Sequence, residues 1–102
     1  MLTLVNELDL NINSGLFSLY FYSNWLPYNK KMLVMIDKIE KKFNSVNFIA
    51  IDVDAFNGLC KRYNVDSIPT VIVFKDGKEI KRINGLVMTS AFKSAFVDIC
   101  NS

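Results

Sequence analysis

The sequence predicts an α/β domain: a central mixed sheet of four to five strands, flanked by helices on both faces. Three observations carry that prediction. Two apolar runs, Leu16 to Tyr22 and Val46 to Val53, read as strands covered on both sides. Between them, about Tyr28 to Phe43, apolar residues recur at helical spacing, and strand, helix, strand over this length makes a right-handed parallel crossover the default. Further on, Val71 to Phe74 and Glu79 to Ile83 flank an Asp76-Gly77 turn, which signals an antiparallel hairpin.

Taken in order, Thr3 to Asn13 begins with a short apolar piece and passes into Asn6-Glu7-Leu8-Asp9-Leu10, read as a short helix that Ser14-Gly15 breaks. The first strong strand, Leu16 to Tyr22, ends at Ser23-Asn24, and Pro27 stands where a first helical turn tolerates proline. In the long helix, Met32, Met35, Ile36, Ile39 and Phe43 form one apolar stripe, and Asn44-Ser45 stops it. The second strand closes at Asp52 and Asp54. Leu59 to Tyr63 is a short helix leading to Ser67-Ile68-Pro69-Thr70. After the hairpin, Asn84-Gly85 turns the chain, and Met88, Phe92, Ala95, Phe96 and Ile99 mark a terminal amphipathic helix.

With 102 residues the chain is read as one domain, 1–102, undivided by any linker or repeat. Its 51% hydrophobic and 22% charged residues are ordinary globular composition. A net charge of +2 is far from the strongly basic balance of a phosphate-binding surface, so nucleic acid is not an expected partner. No apolar run approaches the ~18–20 residues of a membrane span. The absence of histidine removes the commonest general base and metal ligand, and Cys60 and Cys100 make no Cys-x-x-Cys pair, so no metal or other cofactor is expected. Met1 to Ser14 carries Glu7 and Asp9 without a basic start or apolar core, unlike a secretory signal. Two isolated cysteines then read as reduced thiols of a cytoplasmic protein.

Several phrases, in their order and spacing, resemble the thioredoxin family over essentially the whole chain. Phe21-Tyr22-Ser23-Asn24-Trp25 resembles the strand end that runs into the family's active-site Trp. Tyr63 to Thr70 resembles the tract with the family's cis-proline, Phe74 to Glu79 its hairpin, and Asn84-Gly85 its glycine turn. The resemblance implies the thioredoxin fold, with Pro69 as the cis-proline. It also implies a groove for partner peptides formed by Trp25, Leu26, Pro27, Tyr28, Asn29, Ile68, Pro69, Gly85 and Leu86. At Ile68, an extended peptide would pair by strand addition.

The departures from the family set the functional expectation. Where the family has Trp-Cys-Gly-Pro-Cys-Lys, Trp25 is followed by Leu26-Pro27-Tyr28-Asn29-Lys30, so Leu26 and Asn29 replace the attacking and resolving thiols. The family's buried Asp aligns with Tyr20, and its Lys neighbour with Ala50. These four changes predict a redox-inactive, non-enzymatic module that binds a protein or an extended peptide as an adaptor, chaperone-like holder or assembly subunit. One alternative is an oxidoreductase or redox sensor acting through Cys60 or Cys100. Trp-x-Pro also resembles the thioredoxin-like domain of monothiol glutaredoxins, so a second alternative is a module of an iron–sulfur protein.

Three further features bear on function. In a thioredoxin fold, Cys60 and Cys100 lie on helices covering opposite faces of the sheet, beyond the ~7 Å Cα limit for a disulfide. Only Lys61 and Arg62 stand near enough to Cys60 in sequence to lower its pKa. Lys30, Lys31, Lys38, Lys41 and Lys42 fall within an arc of about 120° on the long helix, read as a solvated face or a dock for an acidic partner. Asp52 and Asp54 are too few for a metal site. Family members also carry a helix-kinking proline where this chain has Val34, which predicts one uninterrupted helix here.

Overall fold

A computed structural model describes residues 1–86 and 88–101. Its strands are β1 (Leu2–Thr3), β2 (Leu16–Tyr22), β3 (Val46–Asp52), β4 (Thr70–Lys75) and β5 (Lys78–Asn84). Its helices are α1 (Asn29–Lys42), α2 (Asn57–Arg62) and α3 (Thr89–Asn101), and Glu7–Asp9 forms one 3₁₀ turn capped by Asn6. The strands make one sheet in the order β1-β3-β2-β4-β5. β1 and β2 both run parallel to β3, whereas β4 is antiparallel to β2 and to β5.

Alternation along β2 and β3 sends successive side chains to opposite faces, and each face has its own core. Tyr20, Tyr22, Phe48 and Ala50 face α1 and α3, where Met32, Met35, Ile36, Ile39, Phe92 and Phe96 meet them. Leu19, Phe21, Ile49 and Ile51 face the other way, onto Leu59 of α2 and Leu4 and Ile12 of the N-terminal segment. Phe96 holds the first core together, its ring 5.0 Å from Phe92, 5.2 Å from Phe48 and 6.0 Å from Phe43.

The fold and its sheet are those the sequence predicts, and α1 runs unbroken past Val34. The expected terminal helix does change. Met88 lies before α3 and is 77% exposed, so the buried stripe starts at Phe92. Met88 gives α3 its carbonyl, which accepts from the Phe92 N–H at 3.0 Å.

The hairpin is anchored away from its own strands. Asp76 and Gly77 both have positive φ, 50° and 85°, as a two-residue hairpin turn requires. The Asp76 carboxylate accepts from the Gly15 N–H at 2.7 Å, and the Asp76 N–H donates to the Gly15 carbonyl at 2.9 Å.

Phe96 is fully buried at the junction of α1, α3 and the sheet. Phe96→Ala is expected to cost about 3–5 kcal/mol through lost burial and the cavity left behind. Urea unfolding followed by circular dichroism reads this as a lower midpoint at unchanged slope.

Candidate functional site

Between β2 and α1 the chain makes two linked turns. The Leu26 N–H donates to the Ser23 carbonyl and the Asn29 N–H to the Leu26 carbonyl, each at 3.1 Å. These turns hold the side chains of residues 24–28 outside both cores. Trp25 is 70% exposed, Pro27 and Tyr28 are exposed, and Leu26 is half-buried. Asn29 departs from its expected place among the groove residues. It is buried, and its amide oxygen accepts a hydrogen bond from the Tyr20 hydroxyl at 2.8 Å. Tyr20 is itself 1% exposed and stacks on Tyr22 at 5.3 Å. Burial pushes its phenol well above the usual tyrosine range, with Tyr22 adding to the effect.

The remaining site residues come from the opposite side of the turn region. The Ile68–Pro69 bond is cis. Pro69 is buried, and its carbonyl accepts from the Gly85 N–H at 2.7 Å, which sets the glycine turn beside it. Thr70 Oγ1 ties both segments, bonding the Ser67 carbonyl at 2.8 Å and Asn84 Oδ1 at 3.2 Å. Gly85 has φ of 81°, a conformation that β-carbons disfavour. The apolar residues expected in one patch open into two clefts. Ile68 faces a cleft of about 300 Å³ with Val53, Cys60, Val65 and Ser67. Leu86 faces another, of about 370 Å³, with Met32, Met35 and Met88.

The α2 side shows how the loop before Pro69 is held. Arg82 of β5 donates to the Tyr63 carbonyl at 2.8 Å and to the Asn64 carbonyl at 3.2 Å, while pairing in bidentate fashion with Glu79. Its guanidinium therefore caps the C-terminal end of α2, where Asn64 takes a positive φ of 55°. Cys60 and Cys100 are free thiols, belonging to the cores on opposite faces. Lys61 and Arg62, the basic neighbours of Cys60 in sequence, do not set its pKa. Burial raises it, a backbone hydrogen bond opposes that in part, and the Asp54 charge raises it further.

Asp52 and Asp54 serve the loop. Asp54 Oδ2 accepts from the buried Ser23 hydroxyl at 2.6 Å, and Asp52 Oδ1 from the Asp54 N–H at 2.9 Å. Among the described residues no group of three or more His, Cys, Asp or Glu is placed to hold a metal ion, and no helix is long and apolar enough to cross a membrane.

A parallel βαβ unit joined to an antiparallel hairpin, with a cis-proline at the strand start beside the end of β2, defines the class of thioredoxin folds. The Thioredoxin family model matches residues 5–98, and the chain belongs to that family. It is 34% identical over 76 residues to the thioredoxin of Chlamydia trachomatis serovar D, covering 74% of each chain. It is 31% identical over 65 residues to thioredoxin-1 of Saccharomyces cerevisiae, covering 64% of this chain and 63% of that one. Among solved structures, a mutant thioredoxin from Halobacterium salinarum superposes with a TM-score of 0.82 at 22% identity, over 92% of this chain and 85% of that one.

These relatives correct one expectation. The change at residues 26 and 29 reads, from sequence, as grounds for excluding an enzyme. The matching relatives are thioredoxins, which are oxidoreductases, so the exclusion does not stand. The cysteines of this chain are Cys60 and Cys100, both free and partly buried.

Sequence reasoning treats Tyr20 and Asn29 as two separate departures and misses that they bond each other. The available signal is their pairing: two polar tips at positions that the family brings together. Tyr20→Phe should leave the buried Asn29 oxygen without its donor and cost about 1–3 kcal/mol in urea unfolding at neutral pH. The raised phenol pKa also carries a sign. Stability from Tyr20 is complete below the ordinary tyrosine value of about 10 and is lost as pH rises beyond it, because the unfolded chain ionises first. The alkaline fall in unfolding midpoint should therefore be steeper in the natural chain than in Tyr20→Phe.

Proposed function

We propose that this thioredoxin-family chain binds an extended segment of a protein partner at the corner formed by Trp25, Leu26, Pro27 and Tyr28, beside Ile68, Pro69, Gly85 and Leu86. The observation that carries the reading is the exposure of Trp25, Tyr28 and Leu86 outside both cores, next to a buried proline whose turn is fixed by Gly85 and Thr70. Large aromatic side chains held out on short, hydrogen-bonded turns are the residues that carry most binding energy in protein interfaces. The backbone at Ile68 offers a place for strand addition, with side-chain selection by the clefts on either side. Such a chain acts as an adaptor, a holder or a subunit of a larger assembly. Its small net charge favours protein over nucleic acid, and two free thiols fit the cytoplasm.

A second reading is supported by family membership and by the position of Cys60 in the cleft with Ile68. In it, the Cys60 thiolate attacks a partner disulfide, forms one S–S bond and expels the other sulfur as a thiolate. An external thiol then attacks the mixed disulfide, taking over the partner and returning Cys60 reduced. Because the Cys60 pKa is raised, the reactive thiolate is scarce at neutral pH and the rate climbs as pH rises.

The groove reading is tested by purifying partners from the native source on the immobilised chain, identifying them by mass spectrometry, and measuring affinity by calorimetry. Trp25→Ala is expected to weaken binding at least tenfold, about 1.4 kcal/mol or more, with an unchanged circular dichroism spectrum. Unchanged affinity in that variant sinks the groove. For the second reading, insulin reduction driven by dithiothreitol should exceed the buffer rate and lose that excess in Cys60→Ser. Equal rates in both proteins would refute it.

A further inference from the structure

The cleft holding Leu86 continues into a larger one of about 430 Å³, and the two share Lys31, Met35 and Thr89. Together they form a groove between α1 and the start of α3. Its apolar lining is the buried Met35 with the exposed Val34, Leu86 and Met88, and its charged lining is Lys30, Lys31 and Lys38. Val34 is 54% exposed although it is central in the lysine arc of α1, so this face is more than a solvated charge stripe.

The charge on this face is unbalanced. None of the residues lining the two clefts is a carboxylate. The acids of α1, Asp37 and Glu40, are engaged with the Met1 amine. Among the described residues, no α1 lysine lies within ion-pair distance of a carboxylate. Lys42 lies against Lys93 of α3, whose hydrogen bonding and charge lower its pKa. One face of the molecule therefore gathers like charges around an apolar strip, at a cost that an oppositely charged partner would relieve.

We propose that this groove docks an acidic amphipathic segment of a protein partner, its apolar side chains covering Val34, Met35, Leu86 and Met88 and its carboxylates meeting Lys30, Lys31 and Lys38. The groove lining distinguishes this occupant from the alternatives. A nucleic acid would call for stacking aromatics among the lysines, and the groove lining has none. A membrane surface would call for a broad apolar helix face, and the exposed residues of α1 are charged apart from Val34. The groove is a second surface, independent of Trp25 although it borders the first through Leu86.

The probe is a synthetic helical peptide of about 20 residues with leucines on one face and glutamates flanking them, titrated into the isotope-labelled chain. Saturable binding is expected, with amide shifts concentrated at residues 30–38 and 86–90 and affinity falling as salt rises from about 0.05 to 0.5 M. Lys31→Glu with Lys38→Glu should weaken it at least tenfold, Val34→Ser severalfold, and Trp25→Ala not at all. Circular dichroism checks that each variant is folded. The proposal is overturned if the peptide does not saturate, or if an acidic peptide with serines in place of leucines binds as well. It is also overturned if Trp25→Ala abolishes binding, or if only single-stranded DNA or phosphatidylserine vesicles bind.

Discussion

Strand β2 is paired along both edges, with β3 on one side and β4 on the other, and Ser18 to Tyr22 are buried on both faces. A strand in that position has to supply two cores at once. Its odd and even residues do so with different chemistry: Leu19 and Phe21 on the α2 side, Tyr20 and Tyr22 on the side of α1 and α3. The rest of the molecule is arranged to cover those four side chains. α1 and α3 bring methionine, isoleucine and phenylalanine to the tyrosines, while α2 brings Leu59 to the other face and shares its cover with the N-terminal segment. The two faces are accordingly unequal in helix length, with 14 and 13 residues over one and six over the other.

The tyrosine side carries a further constraint. A buried hydroxyl without a partner is costly, so Tyr20 must find an acceptor inside the core. The first residue of α1 provides it, and that choice ties the centre of the sheet to the position where the helix begins. In the family resemblance, the same two positions hold an acid and a resolving thiol. Here they hold two neutral groups that satisfy each other and form a structural joint. The exposed residues before it, Trp25 to Tyr28, hang from that joint.

Most of the fold was legible because its signals are local and periodic. The strand Leu16–Tyr22 follows from an apolar run, the stripe Met32, Met35, Ile36, Ile39 from helical spacing, and the hairpin from its Asp76-Gly77 turn. The site was legible only through resemblance, and there the limits were physical. A residue's exposure depends on which way a short turn carries it, so Asn29 could not be told from Tyr28 by sequence. The pKa of Cys60 depends on packing and on Asp54 rather than on its basic neighbours in sequence. Arg82 reaches across to the carbonyls of residues 63 and 64, a contact between segments that no local pattern encodes. The lysine arc of α1 was visible, but not the apolar lining beside it, because Leu86 and Met88 arrive from a distant part of the chain.

The reciprocal bonds between Gly15 and Asp76 join segments 61 residues apart, at the point where β2 starts and the hairpin turns. The βαβ half is held by contacts within the first half of the chain, whereas the hairpin docks on β2 from across a long stretch of sequence. A slip of one residue in that pairing would send Val71 and Val73 to the wrong side and Ile72 and Phe74 with them. The Gly15 clamp accepts the turn in one alignment only. It works as an indexing stop, a detail at the rim of the sheet that decides which of two nearly equivalent dockings the arriving hairpin keeps.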